Sequence, residues 1–309
     1  MYGVPQGSVL GPILFVLYTT PLSDIITNYS VNHQLFADDT QLQKSAPLNE
    51  VTNLTKELSA CTDDIKTWMT ENQFKLNDDK TEALLFPVSS SLKPSTVSLP
   101  DSIALGSHNI TFSDSARNLG FILDSNLSVK KHVIKICETA YFQLKRISSF
   151  RRFLTEDAAN TLVTSYIVSR LDYCNCLLMR TPNSVIQPLQ KIQNFAARLV
   201  LLAPRHHHSP PLLEKLHWLP ISERIKYKVA CMCFSAINGS GPATSLNCCM
   251  STLRLVHYAL LLTPACWKSN NTNARLMASA RSLALDPTFG IHSHKPLDIA
   301  QSCHLLKPN

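Results

Sequence analysis

The stretch His33-Gln34-Leu35-Phe36-Ala37-Asp38-Asp39-Thr40-Gln41-Leu42-Gln43 decides the fold. His33 to Asp38 and Thr40 to Gln43 read as two short strands, and Asp is common in turns, so a tight hairpin is expected at Ala37-Asp38-Asp39-Thr40. Both aspartates then sit at its tip. The chain holds two further pairs, Asp63-Asp64 and Asp78-Asp79, so the dipeptide alone means little. One falls on the solvent side of an expected helix and the other precedes Lys80 at a turn. Only Asp38-Asp39 is flanked by strands. Paired carboxylates on a rigid turn suit two-metal phosphoryl transfer, in which two Mg²⁺ ions about 3.5 to 4 Å apart are held against a hydroxyl and a triphosphate.

Working outward, Pro12 stands at a helix N1 position and is followed by Ile13, Leu14, Val16, Leu17 and Tyr18 before Pro21 interrupts, which predicts a buried helix behind a loop. Val51, Leu54, Leu58, Cys61, Ile65, Trp68 and Met69 recur every three or four residues, the stripe of an amphipathic helix of about five turns lying across a sheet. Glu82 to Phe86 reads as a strand closed by Pro87, and Ser89 to Pro100 as a Ser/Pro-rich linker. A hairpin of Ile103 to Leu105 with Asn109 to Phe112 and a strand near Leu119 to Leu123 are expected next. Beyond them the period turns helical. One stripe runs through Val133, Ile136, Cys137, Ala140, Tyr141, Leu144 and Ile147, a second through Ala159, Leu162, Val163, Tyr166 and Ile167, and a third through Leu189, Ile192, Ala196, Leu199 and Val200.

Composition sets the bounds. A chain of 309 residues with 45% apolar and 17% charged residues can bury a substantial core and hold two domains. No basic, apolar leader opens it, and its apolar runs fall short of the roughly 20 residues of a membrane span, so an intracellular protein is expected, in cytoplasm or nucleus and without membrane partners. The ten cysteines have no regular spacing and read as reduced; Cys174, Cys176, Cys231 and Cys233 make no paired zinc frame, and His206 to His208 fall in a loop. Charge is split along the chain. Residues 1–90 carry 5 Lys and Arg against 11 Asp and Glu, a net of −6, whereas residues 129–228 carry 16 against 6, a net of +10. An acidic segment that could hold divalent cations precedes a basic one that could hold a polyanion, unless both are simply solvated surfaces.

Gly3-Val4-Pro5-Gln6-Gly7-Ser8-Val9-Leu10-Gly11-Pro12-Ile13-Leu14-Phe15 and Phe36-Ala37-Asp38-Asp39-Thr40, in this order and spacing, resemble the template-cradling motif and the catalytic hairpin of reverse transcriptases. Trp68 and Asn72 with Leu76-Asn77-x-x-Lys80-Thr81-Glu82 resemble the next palm motif of the LINE, or non-LTR retrotransposon, type. Asn118-Leu119-Gly120-x-x-x-Asp124-x-x-Leu127-Ser128-x-x-x-His132 is similar to the primer grip that leads into the thumb. Leu189-Gln190-x-x-Gln193-Asn194-x-Ala196-Ala197-Arg198-Leu199 and Leu216-His217-Trp218-Leu219-Pro220-Ile221 resemble the family's helical C-terminal region.

The resemblance implies an RNA-directed DNA polymerase acting on an RNA template, a DNA primer and deoxynucleoside triphosphates with Mg²⁺. It makes Asp38 and Asp39 metal ligands, and Lys80 a proton donor to pyrophosphate, against the plainer reading of a surface lysine beside Asp78 and Asp79. Pro5, Gln6, Gly7 and Ser8 would shape the template and nucleotide side, Gly7 because close approach tolerates no side chain. Leu119 and Gly120 would grip the primer, and Lys130, Lys131, Lys145, Arg146, Arg151 and Arg152 would meet the nucleic-acid backbone. The fold implied is α+β: an incomplete palm over residues 1–128, with a short antiparallel sheet and flanking helices, then a helical thumb and C-terminal region over 129–245.

In the family a further metal-binding aspartate lies on a strand well before the Pro5-Gln6-Gly7 block, and only two residues precede Gly3 here. The expectation is therefore a C-terminal polymerase fragment, without fingers or an upstream endonuclease, that does not extend a primer alone. Residues 246–309 depart from the family's ending; Leu276 to Ser293 could encode a similar ending one nucleotide out of frame, which predicts a frameshifted, weakly ordered tail. A non-catalytic nucleic-acid-binding module and a decayed reading frame are the other two readings. The sequence leaves the oligomeric state open.

Overall fold

In the computed structural model, residues 7–86, 100–105 and 108–240 are described, and they build two compact units, one within residues 1–128 and one from residue 129 onward. The first is mixed. Helices α1 (Gly11–Thr19) and α2 (Pro21–Thr27) precede the hairpin β1 (Asn32–Phe36) and β2 (Asp39–Gln43), the long helix α3 (Val51–Glu71), and the hairpins β3 (Ser102–Leu105) with β4 (His108–Thr111) and β5 (Ser115–Asn118) with β6 (Phe121–Asp124). Each hairpin is a separate two-stranded antiparallel sheet. The architecture is α+β, an assembly of short antiparallel sheets and flanking helices followed by a mostly helical region.

The α3 stripe does what its period dictates. Val51, Leu54, Leu58, Cys61, Ile65 and Met69 are buried, and all but Val51 share one cluster with Leu42 of β2 and with Ile103 and Ile110 of the second hairpin. Asp63 and Asp64 face solvent on the opposite side, where Asp64 accepts a hydrogen bond from the Tyr29 hydroxyl and holds that phenol up at about 12. Burial, aided by Asp64, likewise pushes the Cys61 thiol up to about 11, beyond thiolate chemistry at neutral pH.

Two local expectations are corrected in this unit. Residues Glu82 to Phe86 are mostly buried but carry isolated bridge residues at Ala83 and Leu84, Ala83 bridging Phe112 in parallel, rather than a full strand. Helix α1 forms, yet it is not buried: Ile13, Leu14, Val16, Leu17 and Tyr18 are 45 to 65% exposed, and Phe15 and Thr19 carry the inward side. A helix apolar on every side has no polar face to mark the outside, so its pattern cannot say which side packs.

The second unit is helical: α4 (Lys130–Phe150), α5 (Glu156–Val163), a π turn Thr164–Val168, α6 (Ser169–Asp172), α7 (Asn183–Val200), α8 (Ser209–Lys215) and α9 (Ile221–Ile237). Val133, Ala140, Leu144 and Ile147 of α4 share a core with Leu189, Ile192, Ala196 and Val200 of α7. Tyr141 and Tyr166, both placed in the stripes by period, are half in water. The π turn accounts for the latter, because one extra residue per turn moves the buried pair on to Ile167 and Val168. Among the described residues no helix is long and apolar enough to cross a membrane.

Arg151 belongs to this core. It is 5% exposed, and its guanidinium donates to the carbonyls of Leu199 at 3.0 Å, Leu154 at 2.7 Å and Val200 at 2.6 Å, which caps the end of α7. The expectation that it meets nucleic acid is therefore corrected: its donors are spent on carbonyls that burial would otherwise leave unsatisfied. Arg151→Ala should cost about 2 kcal/mol or more in urea unfolding, and Arg151→Lys should not restore it, because an ammonium cannot span three carbonyls as the fork does.

His132 is 4% exposed, and burial lowers its imidazole below the ordinary 6.5. The unfolded chain then takes up the proton more readily. Its contribution to stability is present above the unfolded value and lost as pH falls through the lower folded one. The thermal midpoint should drop on acidification below about pH 6.5, and His132→Gln should flatten part of that slope.

Candidate active site

The hairpin expected to be catalytic closes in two residues. Phe36 pairs with Asp39, leaving Ala37 and Asp38 as the turn, and Ala37 takes φ +53. Positive φ at the first central residue alone is the II′ pattern, which glycine prefers and which twists with the strands. Asp38 is exposed at the tip and Asp39 half-buried at the start of β2. A cavity of about 210 Å³ opens beside the turn, walled by Ala37, Asp38, Thr40, Phe15, Phe74 and Lys75 among others.

The hairpin is anchored on two sides. Thr40 and Leu42 turn inward, and Ser23 Oγ meets His33 Nε2 at 2.7 Å. On β2, Gln41 exchanges amide hydrogen bonds with Asn118 at the end of β5: Gln41 Nε2 donates to Asn118 Oδ1 at 2.5 Å, and Asn118 Nδ2 donates to Gln41 Oε1 at 3.3 Å. Asn118 directly precedes Leu119 and Gly120, whose φ of +44 and +84 make them the two central residues of a I′ turn. The acidic turn and the expected primer-grip turn are thus joined by one amide pair. Neither Gln41 nor its partnership was legible in the sequence, since two amides 77 residues apart carry no pattern.

Other expected site residues fall as follows. Pro5 and Gln6 lie outside the described residues. Gly7 has φ +88, a left-handed turn that itself calls for glycine, and a Cβ there would meet no atom of the described chain within 4 Å. Ser8 Oγ accepts from the Gly11 N–H at 3.0 Å at the start of α1. Lys80 is exposed on the short 3₁₀ turn Asp78–Lys80 and is not among the walls of the cavity beside Asp38; Lys75, which no motif singled out, is. The structure places Asp38 on the turn and Asp39 next to it at the start of β2, and ties this hairpin through Gln41 and Asn118 to the Leu119-Gly120 turn.

The motif residues around them have structural work. Asn72 Nδ2 donates to the Trp68 carbonyl at 2.8 Å, and the Trp68 and Phe74 rings stack at 6.3 Å. Thr81 Oγ1 donates to the Asn77 carbonyl at 3.0 Å. Asp124 accepts from the Asn126 N–H at 3.1 Å, the Ser128 N–H at 2.8 Å and Ser128 Oγ at 2.7 Å, which fixes the chain's exit from β6.

Residues 1–123 match the family model of reverse transcriptase (RNA-dependent DNA polymerase). The match supports a reverse transcriptase domain in that stretch. No curated protein and no solved structure matches the chain. The reverse transcriptase family uses divalent metal ions, and the donor set on the turn suits one. Carboxylate oxygens are hard ligands, and Mg²⁺ is commonly held by one or two carboxylates with water and substrate phosphates completing its shell. Among the described residues no group of three His, Cys, Asp or Glu forms a fuller cage.

Ala37 offers a direct probe of this turn. Ala37→Gly should raise stability by up to about 1 kcal/mol by relieving the left-handed alanine, while Ala37→Val should lower it by at least as much, read by urea unfolding.

Proposed function

We propose that residues 1–128 furnish the catalytic-turn side of the palm of a LINE-type, non-LTR retrotransposon RNA-directed DNA polymerase. The observation that carries the reading is the hairpin that holds Asp38 on its two-residue turn and Asp39 at the adjoining strand end, linked through Gln41 and Asn118 to the Leu119-Gly120 turn. Asp38 and Asp39 hold Mg²⁺, the turn's rigidity fixes their spacing, and Leu119 and Gly120 seat the primer end. When bound, the cation stabilises charge on the phosphoryl oxygens. Lys80 donates a proton to the departing pyrophosphate, and Pro5, Gln6, Gly7 and Ser8 shape the template and nucleotide side. RNA template, DNA primer and deoxynucleoside triphosphates are the partners, in cytoplasm or nucleus.

The LINE assignment draws support from the helical unit. Its two resembling blocks meet: Gln193, fully buried, donates to the Leu219 carbonyl at 2.8 Å, and Gln190 Oε1 accepts from the Ile221 N–H at 2.9 Å. Lys130, Lys131, Lys145, Arg146 and Arg152 are exposed and serve as contacts to nucleic-acid phosphates.

The 309 residues do not extend a primer by themselves. Val9, Leu10, Ile13, Leu14, Val16 and Leu17 stand exposed on and just before α1, an apolar face of the kind that marks an interaction surface. The second reading, a nucleic-acid-binding module without catalysis, is favoured by the exposed cations of α4.

Two measurements separate these. Paramagnetic titration with Mn²⁺ should show weak binding that disappears in Asp38→Asn and weakens in Asp39→Asn; binding unchanged in both would remove the metal reading. Primer extension on a homopolymer RNA template with Mg²⁺ should give no product, and extension abolished by Asp38→Ala would overturn the claim of inactivity.

A further inference from the structure

The outer face of α4 carries rings as well as charges. Phe142 is 59% exposed and Phe153, on the 3₁₀ turn that follows α4, is 74% exposed. They stand eleven residues apart, Phe142 on α4 and Phe153 two residues beyond the buried Arg151, and both rings project into solvent. Each is paired with a guanidinium: Arg146 lies 5.7 Å from the Phe142 ring centre, and Arg152 lies 4.6 Å from that of Phe153. Lys145 is three residues from Phe142 and exposed. Among the described residues Lys145, Arg146 and Arg152 make no ion pair. The acid on this stretch of α4, Glu138, is already bridged to Lys135 at 3.4 Å.

We propose that this face binds single-stranded nucleic acid, with Phe142 and Phe153 stacking on unpaired bases while Lys145, Arg146 and Arg152 contact the phosphates between them. An apolar protein partner would leave three cations buried against it, and an acidic one would not need the rings. A duplex offers phosphates but keeps its base faces inside the stack. A single strand presents aromatic faces and negative charge in alternation along its length, which is the alternation on this helix. Each guanidinium lies over one face of its ring, which leaves the other face to a base and lends cation–π character to the same surface. Lys130 and Lys131, at the other end of α4, extend the positive track. The inference rests on the nucleic-acid half of the proposed function and on none of its metal-binding residues.

The test uses the full chain and three labelled probes of equal length: a homopolymer single strand, a duplex, and an abasic oligodeoxynucleotide that keeps the phosphates and lacks the bases. The single strand should bind tightest. Phe142→Ala and Phe153→Ala should each weaken that binding about tenfold and leave the abasic probe and the salt dependence unchanged. Phe→Tyr at either position should retain it, whereas Phe→Leu, which keeps an apolar side chain without a ring, should not. Substituting Lys145 and Arg152 by Gln should instead weaken all three probes and flatten the salt dependence. Equal affinity for the abasic probe or the duplex, full binding by the Leu variants, or no nucleic-acid binding at all would each overturn the proposal. Asp38→Asn should leave these affinities intact, so failure of the metal reading and failure of this one give different results.

Discussion

A two-stranded hairpin in water is marginal, and the mixed unit of this protein is built from three of them. What makes them persist is the apolar stripe of α3. Leu54, Leu58, Cys61, Ile65 and Met69 give the first and second hairpins a common surface on which to bury Leu42, Ile103 and Ile110. Without that helix the first and second hairpins would expose an apolar face, and the acidic turn would have no fixed foundation. The rigidity asked of Asp38 and Asp39 thus comes from residues that never approach them in sequence.

Buried polar groups then fix what apolar burial leaves loose. Hydrophobic packing is non-directional and would tolerate small slips of one hairpin against another. The Gln41–Asn118 amide pair does not, because both partners must be met at hydrogen-bond distance. The helical unit uses the same device in Arg151 against the end of α7 and in Gln190 and Gln193 against the segment around Leu219 and Ile221. These are the residues whose loss should be felt far from where they sit.

Local signals were read well where one residue type forces one backbone. The hairpin at Ala37-Asp38, the long α3 helix, the second hairpin and the period of α7 all follow from turn chemistry or from apolar spacing. Reading failed where the pattern lacks contrast. The uniformly apolar α1 does not reveal its outer face, the π turn after α5 shifts a stripe that simple period had drawn through Tyr166, and the segment Glu82 to Phe86 is buried without a full ladder. The expected tail beyond residue 245 lies outside the described residues.

By itself the sequence determined the elements, the acidic turn, the basic helical segment and the reverse transcriptase resemblance, because these depend on residue type and short spacing. Only the tertiary structure decided how each charge is used. Arg151 and Arg152 are neighbours of identical chemistry, yet one is consumed by three buried carbonyls and the other lies over an exposed ring. It likewise decided that Lys75, and not Lys80, walls the cavity beside Asp38. Side-chain roles of this kind depend on what the rest of the chain brings within a few ångströms, and no local pattern carries that information.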